Sequence, residues 1–146
     1  MARLHDRSPV KLQDALKAEE IVLINVRTPQ EYMMEHIDGA LLMPMAFFDP
    51  KALPTQDGKR IVLHCGSGMR SGQVADRAMA AGFAPLAHME GGLAAWKRAG
   101  LQYRGTDMAT GAPKLMTASY PYSSGFCLGV MDRLPRMITA IPTGGV

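Results

Sequence analysis

One short stretch of this chain gathers the residues that could do chemistry: Cys65-Gly66-Ser67-Gly68-Met69-Arg70-Ser71, a cysteine with an arginine five positions later and two glycines between them. A thiol attacks other groups as its thiolate, so the first question is what would steady a charged sulfur there. Gly66 and Gly68 let the backbone curl until successive amide N–H groups point inward, making a nest for negative charge. The positive end of a helix beginning just after the loop, and the Arg70 guanidinium, would add to that field. Cys65 is therefore expected to be a reactive thiol of lowered pKa, with Gly66, Ser67, Gly68, Met69, Arg70 and Ser71 as its binding loop. For the Ser67 and Ser71 hydroxyls the simplest duty is to satisfy nearby backbone groups.

Such a loop needs a strand before it and a helix after it. Residues 61–63 form a short apolar run suited to a buried strand, and Val74, Ala75, Ala78 and Met79 give a helical face that stops at Gly82. A cysteine at that junction lies at the carboxyl edge of a parallel sheet, where open α/β folds keep their ligand crevices. Upstream, Ser8-Pro9 predicts a helix start, with the Ser8 hydroxyl capping and Leu12, Ala15 and Leu16 on the apolar face. Residues 21–26 predict a buried strand broken only by Asn25. Thr28-Pro29-Gln30-Glu31 has capping-box spacing and should open a helix that ends by Gly39. A strand over 40–43, a loose helical turn over 46–53 and a polar turn over 55–59 follow. Beyond the loop come a strand over 86–89, the pair Gly91-Gly92, and a short helix to Gly100 whose Trp96 belongs in the core. Strands alternating with helices imply a parallel sheet with helices on its faces. Alternation along the strand should turn His64 away from Cys65, making it a structural histidine rather than a base.

With 146 residues, 47% hydrophobic and 20% charged, the chain suits one globular domain with a real core. The net charge of +3 comes from scattered basic residues, so nucleic acid is not the expected partner. No apolar run approaches the roughly 20 residues that span a bilayer, so no membrane partner is expected. Cys65 and Cys127 are too few for a disulfide framework, and the N-terminus lacks the apolar run of a secretion signal; a reducing cytoplasm is the expected setting. The histidines His5, His36, His64 and His88 are dispersed, so neither a metal nor another cofactor is expected. Residues 1–105 read as the domain and 106–146 as an extension, which holds four of the ten prolines and five charged residues. Leu128, Met131, Leu134 and Ile138 could line a helix face there, but Pro135 should end it. The extension is expected either to dock on the domain or a partner subunit, which would allow a homo-oligomer, or to be partly disordered. Cys127, lacking a glycine nest, is expected to be a bystander.

The octapeptide His64-Cys65-Gly66-Ser67-Gly68-Met69-Arg70-Ser71 resembles the active-site loop of the single-domain rhodaneses, which are sulfurtransferases. Residues 23–32 with His36-Ile37-Asp38-Gly39-Ala40 are similar to that family's first signature, and Gly91-Gly92-Leu93-Ala94-Ala95-Trp96 to its closing one. Together the three cover about residues 8 to 104. The resemblance implies a three-layer α/β domain with a central, mainly parallel five-stranded sheet flanked by helices. It also implies transfer of a sulfane sulfur from a small anionic donor such as thiosulfate to cyanide, a thiol or a protein acceptor, through a persulfide on Cys65. Asn25 stands where the family usually has Asp, so a charge pair with a nearby arginine would be lost or reduced to a neutral hydrogen bond. Arg27 and Glu31 are expected to pair and fasten the strand-to-helix corner.

Two rival readings remain. Cysteine-dependent phosphatases and arsenate reductases share the His-Cys and Arg-Ser ends of the loop, but they place five residues between Cys and Arg to ring a tetrahedral oxyanion. Only four intervene here, which suits a single sulfur atom better. The other rival is a non-catalytic sulfur carrier or binding module.

Overall fold

The computed structural model describes residues 8–118. Its first helix, α1 (Pro9–Lys17), follows Ser8 in an extended conformation, and Pro9 takes the first helical position, where a missing N–H costs nothing. The Ser8 side chain makes no capping hydrogen bond, contrary to the expectation. Strand β1 (Ile21–Asn25) leads to Thr28, which opens α2 (Pro29–Met34) with both halves of the capping box in place. The Glu31 amide donates to Thr28 Oγ1 at 3.2 Å, and the Thr28 amide donates to Glu31 Oε2 at 2.9 Å.

The chain leaves the helix earlier than the sequence suggests, because Glu35–His36 forms strand β2. Strand β3 (Leu41–Leu42) and two single-turn 3-10 segments, Met45–Phe47 and Pro50–Ala52, fill the stretch before β4 (Arg60–His64). Then come α3 (Met69–Ala80), β5 (Ala87–His88), α4 (Gly92–Arg98), β6 (Tyr103–Thr106) and β7 (Pro113–Met116).

The central sheet has the order β3-β1-β4-β5, with every neighbouring pair parallel. It carries four strands among the described residues, not the five that the family resemblance implies. The other three strands form a separate antiparallel sheet of order β2-β6-β7. Regular structure thus continues through residue 105 into the hairpin of β6 and β7. The expected helix face around Leu128, the kink at Pro135, and Cys127 and His5 lie outside the described residues.

Side-chain alternation along β1 and β4 divides the core in two. Ile21, Leu23 and Val62 pack with Leu12, Ala15, Leu93 and Trp96 from α1 and α4. Ile24, Ile61, Leu63 and Cys65 pack with Val74 and Ala75 of α3. The layers are therefore α1 with α4, the sheet, and α3. Trp96 sits in the core as expected, and its indole Nε1 donates to the Gln102 carbonyl at 2.9 Å. No described helix is long and apolar enough to cross a membrane.

Candidate active site

Cys65 is the first residue after β4, at the carboxyl edge of the parallel sheet, and has no exposed surface. Its sulfur faces the loop. The Gly68 amide donates to Sγ at 3.0 Å, and the amides of Ser67 and Ser71 and the Ser71 hydroxyl also reach it. Burial by itself would push the thiol pKa up. The hydrogen bonds from Ser71, Gly68 and Ser67 outweigh that effect, and the thiol ends below its ordinary value.

The loop closes this tightly because Gly68, which precedes the first turn of α3, has φ +98 and a backbone neighbour at close range. A Cβ there would stand 2.9 Å from the Gly91 nitrogen. Gly91 and Gly92 in turn bring the start of α4 against the loop, where the amides of Leu93 and Ala94 donate to the carbonyls of Cys65 and Gly66 at 2.9 and 3.0 Å. The Gly91-Gly92 segment thus clamps the Cys65 loop. Ser67 and Met69 point outward, Met69 with 73% of its surface exposed, while Ser71 is wholly buried. The Ser71 hydroxyl donates to the Gly68 carbonyl at 3.1 Å, which is the backbone duty expected of it.

Arg70 stands near Cys65, as expected, and also has a partner that was not expected. Both of its terminal nitrogens donate to Glu31, Nη1 to Oε2 and Nη2 to Oε1, each at 2.8 Å. This fork joins α2 to α3 and takes the carboxylate that was expected to pair with Arg27. Arg27 is buried, its Nη2 donates to the Glu35 carbonyl, and its Nε has no partner. Asn25 accepts the Arg27 backbone amide at 2.9 Å, so only a neutral hydrogen bond stands where a charge pair would have been. Glu35 instead bonds Lys97 at 2.7 Å. Electrostatically, the Cys65 thiolate acts on both arginines, favouring their charged forms.

His64 is fully buried, its Nδ1 lies 3.3 Å from the Cys65 carbonyl oxygen, and burial lowers its pKa to about 4. It is a structural, neutral imidazole. A histidine that the sequence did not single out, His88 of β5, has its Nδ1 3.2 Å from Ser71 Oγ. No cluster of three or more potential metal-ligating side chains occurs among the described residues.

The fork has a consequence in acid. The Arg70 hydrogen bonds hold the Glu31 carboxyl at about 2, against roughly 4.3 in an unfolded chain. A depressed acid stabilises the fold above its unfolded pKa and loses that contribution as pH falls through its folded value. His64, also depressed, loses its contribution higher, between about 6.5 and about 4. Glu31→Gln, which can still cap α2, should melt below the wild type at pH 7, and the gap should shrink between pH 4.5 and 2.5. A melting-temperature gap that is constant across that window would count against the fork.

A family model described as Rhodanese-like domain matches residues 8–99. An uncharacterised protein of Synechocystis sp. is 40% identical over 94 residues, 64% of this chain and 52% of that one, so the chain spans about half the length of this relative. A protein named Sulfurtransferase from Allochromatium vinosum is 32% identical over 83 residues, covering 57% of this chain and 78% of the relative. The solution structure of a rhodanese-like domain from Anabaena sp. has 24% identity and a TM-score of 0.58, covering 80% of this chain and 89% of that domain, which shows the shared fold. The matched span takes in the Cys65 loop, the Glu31 corner and the Gly91-Gly92 clamp, and the chain belongs to the rhodanese-like domain family.

Proposed function

We propose that the chain is a sulfurtransferase that carries a sulfane sulfur as a persulfide on Cys65. The observation that carries this reading is the cradle: a sulfur with the Gly68 amide 3.0 Å away, the Ser67 and Ser71 amides in reach, and a thiol already below its ordinary pKa. In the first half-reaction the thiolate attacks the outer sulfur of a donor such as thiosulfate. A Cys65 Sγ–S bond forms, the donor's S–S bond breaks, and sulfite leaves with the bonding electron pair. The new terminal sulfur carries the negative charge, which the same amides can hold. In the second half-reaction cyanide or an acceptor thiolate attacks that terminal sulfur, and Cys65 leaves as the thiolate it began as. No general base is needed once the thiol is ionised, and its lowered pKa favours that form.

Two guanidiniums, Arg70 and Arg27, stand beside the one Glu31 carboxylate, and the net positive field favours a small anionic donor; the acceptor is a thiol, free or on a protein. Phosphate hydrolysis fits this loop less well. Beyond the short Cys-to-Arg spacing, both terminal nitrogens of Arg70 are engaged by Glu31, whereas a phosphatase loop turns that fork on the oxyanion.

The test is intact-mass spectrometry after incubation with thiosulfate. One added sulfur, about 32 Da, that disappears on addition of cyanide as thiocyanate forms is the expected result. No added mass with free thiosulfate, but loading in the presence of a partner protein, would favour the carrier module instead. Turnover of an aryl phosphate without any sulfur adduct would overturn sulfur transfer altogether.

A further inference from the structure

We infer that His88 is a positioning residue that leaves the Ser71 proton free to turn to the Cys65 sulfur. It rests on the sulfur-transfer reading only for the use made of the thiolate. Ser71 is wholly buried, so among the described residues its hydroxyl has to be satisfied by protein groups. Three lie around it: the Gly68 carbonyl at 3.1 Å, His88 Nδ1 at 3.2 Å, and Cys65 Sγ.

A serine hydroxyl has one proton to give and lone pairs to receive with. The carbonyl and the thiolate can only accept. If His88 Nδ1 were also an acceptor, three groups would compete for one proton and the serine oxygen would receive none. With the hydrogen on Nδ1, His88 donates to Oγ, and the Ser71 proton is left to swing between the Gly68 carbonyl and the sulfur. As the sulfur takes on charge, the charge-assisted bond is the stronger of the two, and the proton turns to it.

Two features of the fold hold the ring in place. Strand β5 pairs with β4 in the register Leu63 with His88, which sets His88 beside the strand that ends at the nucleophile. Gly72 leaves room for the imidazole, since a Cβ there would lie 3.4 Å from His88 Cε1.

The test compares His88→Asn with His88→Gln in the full chain. The amide nitrogen of Asn can stand where Nδ1 stands, whereas that of Gln reaches the position of Nε2. The readout is the alkylation rate of the Cys65 peptide by iodoacetamide against pH, followed by mass spectrometry so that Cys127 does not contribute. His88→Gln should raise the midpoint by about half to one unit and slow alkylation at pH 7 by about three- to tenfold, while His88→Asn stays near the wild type. Ser71→Ala should reproduce the His88→Gln shift, and the double variant should shift no further. Equal profiles for the Asn and Gln variants, or additive shifts in the double variant, would overturn the assignment. Alkylation needs no sulfur donor, so a chain that shows these shifts but forms no sulfur adduct would retain the His88 role and lose the sulfur-transfer reading.

Discussion

Cys65→Ser should reduce thiocyanate formation from thiosulfate and cyanide by about a thousandfold or more, and should gain no sulfur on incubation with the donor. A serine hydroxyl at neutral pH is not ionised, and the cradle cannot make it so: hydrogen bonds that favour a thiolate fall far short for an alcohol. The substitution changes one buried atom and leaves the loop's own hydrogen bonds intact, so the variant should fold. Residual activity near the wild-type level would place the nucleophile elsewhere. Cys127 would then be the next thiol to replace, which makes the same assay on Cys127→Ser the natural control.

Gly92→Ala should lower stability by on the order of 3–5 kcal/mol and the melting temperature by about 10 °C or more. Two effects combine. Gly92 has φ +55, a conformation that strains a residue bearing a Cβ by roughly 1–2 kcal/mol. The added carbon would also lie 2.4 Å from the Cys65 carbonyl oxygen and 2.7 and 2.8 Å from the carbonyl carbon and oxygen of Gly66. Those atoms are backbone of the Cys65 loop, and the Leu93 and Ala94 amides hold them, so they cannot yield as a flexible side chain would. Gly100→Ala provides the comparison, because its φ is +74 and a Cβ there meets nothing within 4 Å. It should cost only the backbone strain. Equal losses in the two variants would show that the close approach beneath Gly92 contributes nothing.

What could be read in the sequence was whatever short-range chemistry decides. The capping box of Thr28 and Glu31 spans four residues and formed as spaced. The β-branched runs gave β1 and β4, and alternation within β4 sorted Cys65 and Leu63 to one face and Val62 to the other. The glycine loop predicted the amides around Sγ. What was not legible depends on partners distant in the chain. Strand β2 is two residues long and exists because Glu35 and His36 pair with Gly105 and Arg104. Glu31 lies near Arg27 in sequence, yet it takes Arg70, 39 positions away, because α2 and α3 begin beside each other at the sheet edge. His88 meets Ser71 through the register of β5 on β4, which no local pattern encodes.

The complete cover over Cys65 sets a condition on turnover. In the sulfur-transfer reading a donor would reach that sulfur only during a brief opening of the loop, whose exposed residues are Ser67 and Met69. Between openings a persulfide held there would sit away from water, stray thiols and oxidants. The cover that slows entry would then lengthen the life of the cargo and favour an acceptor able to hold the loop open over a chance encounter.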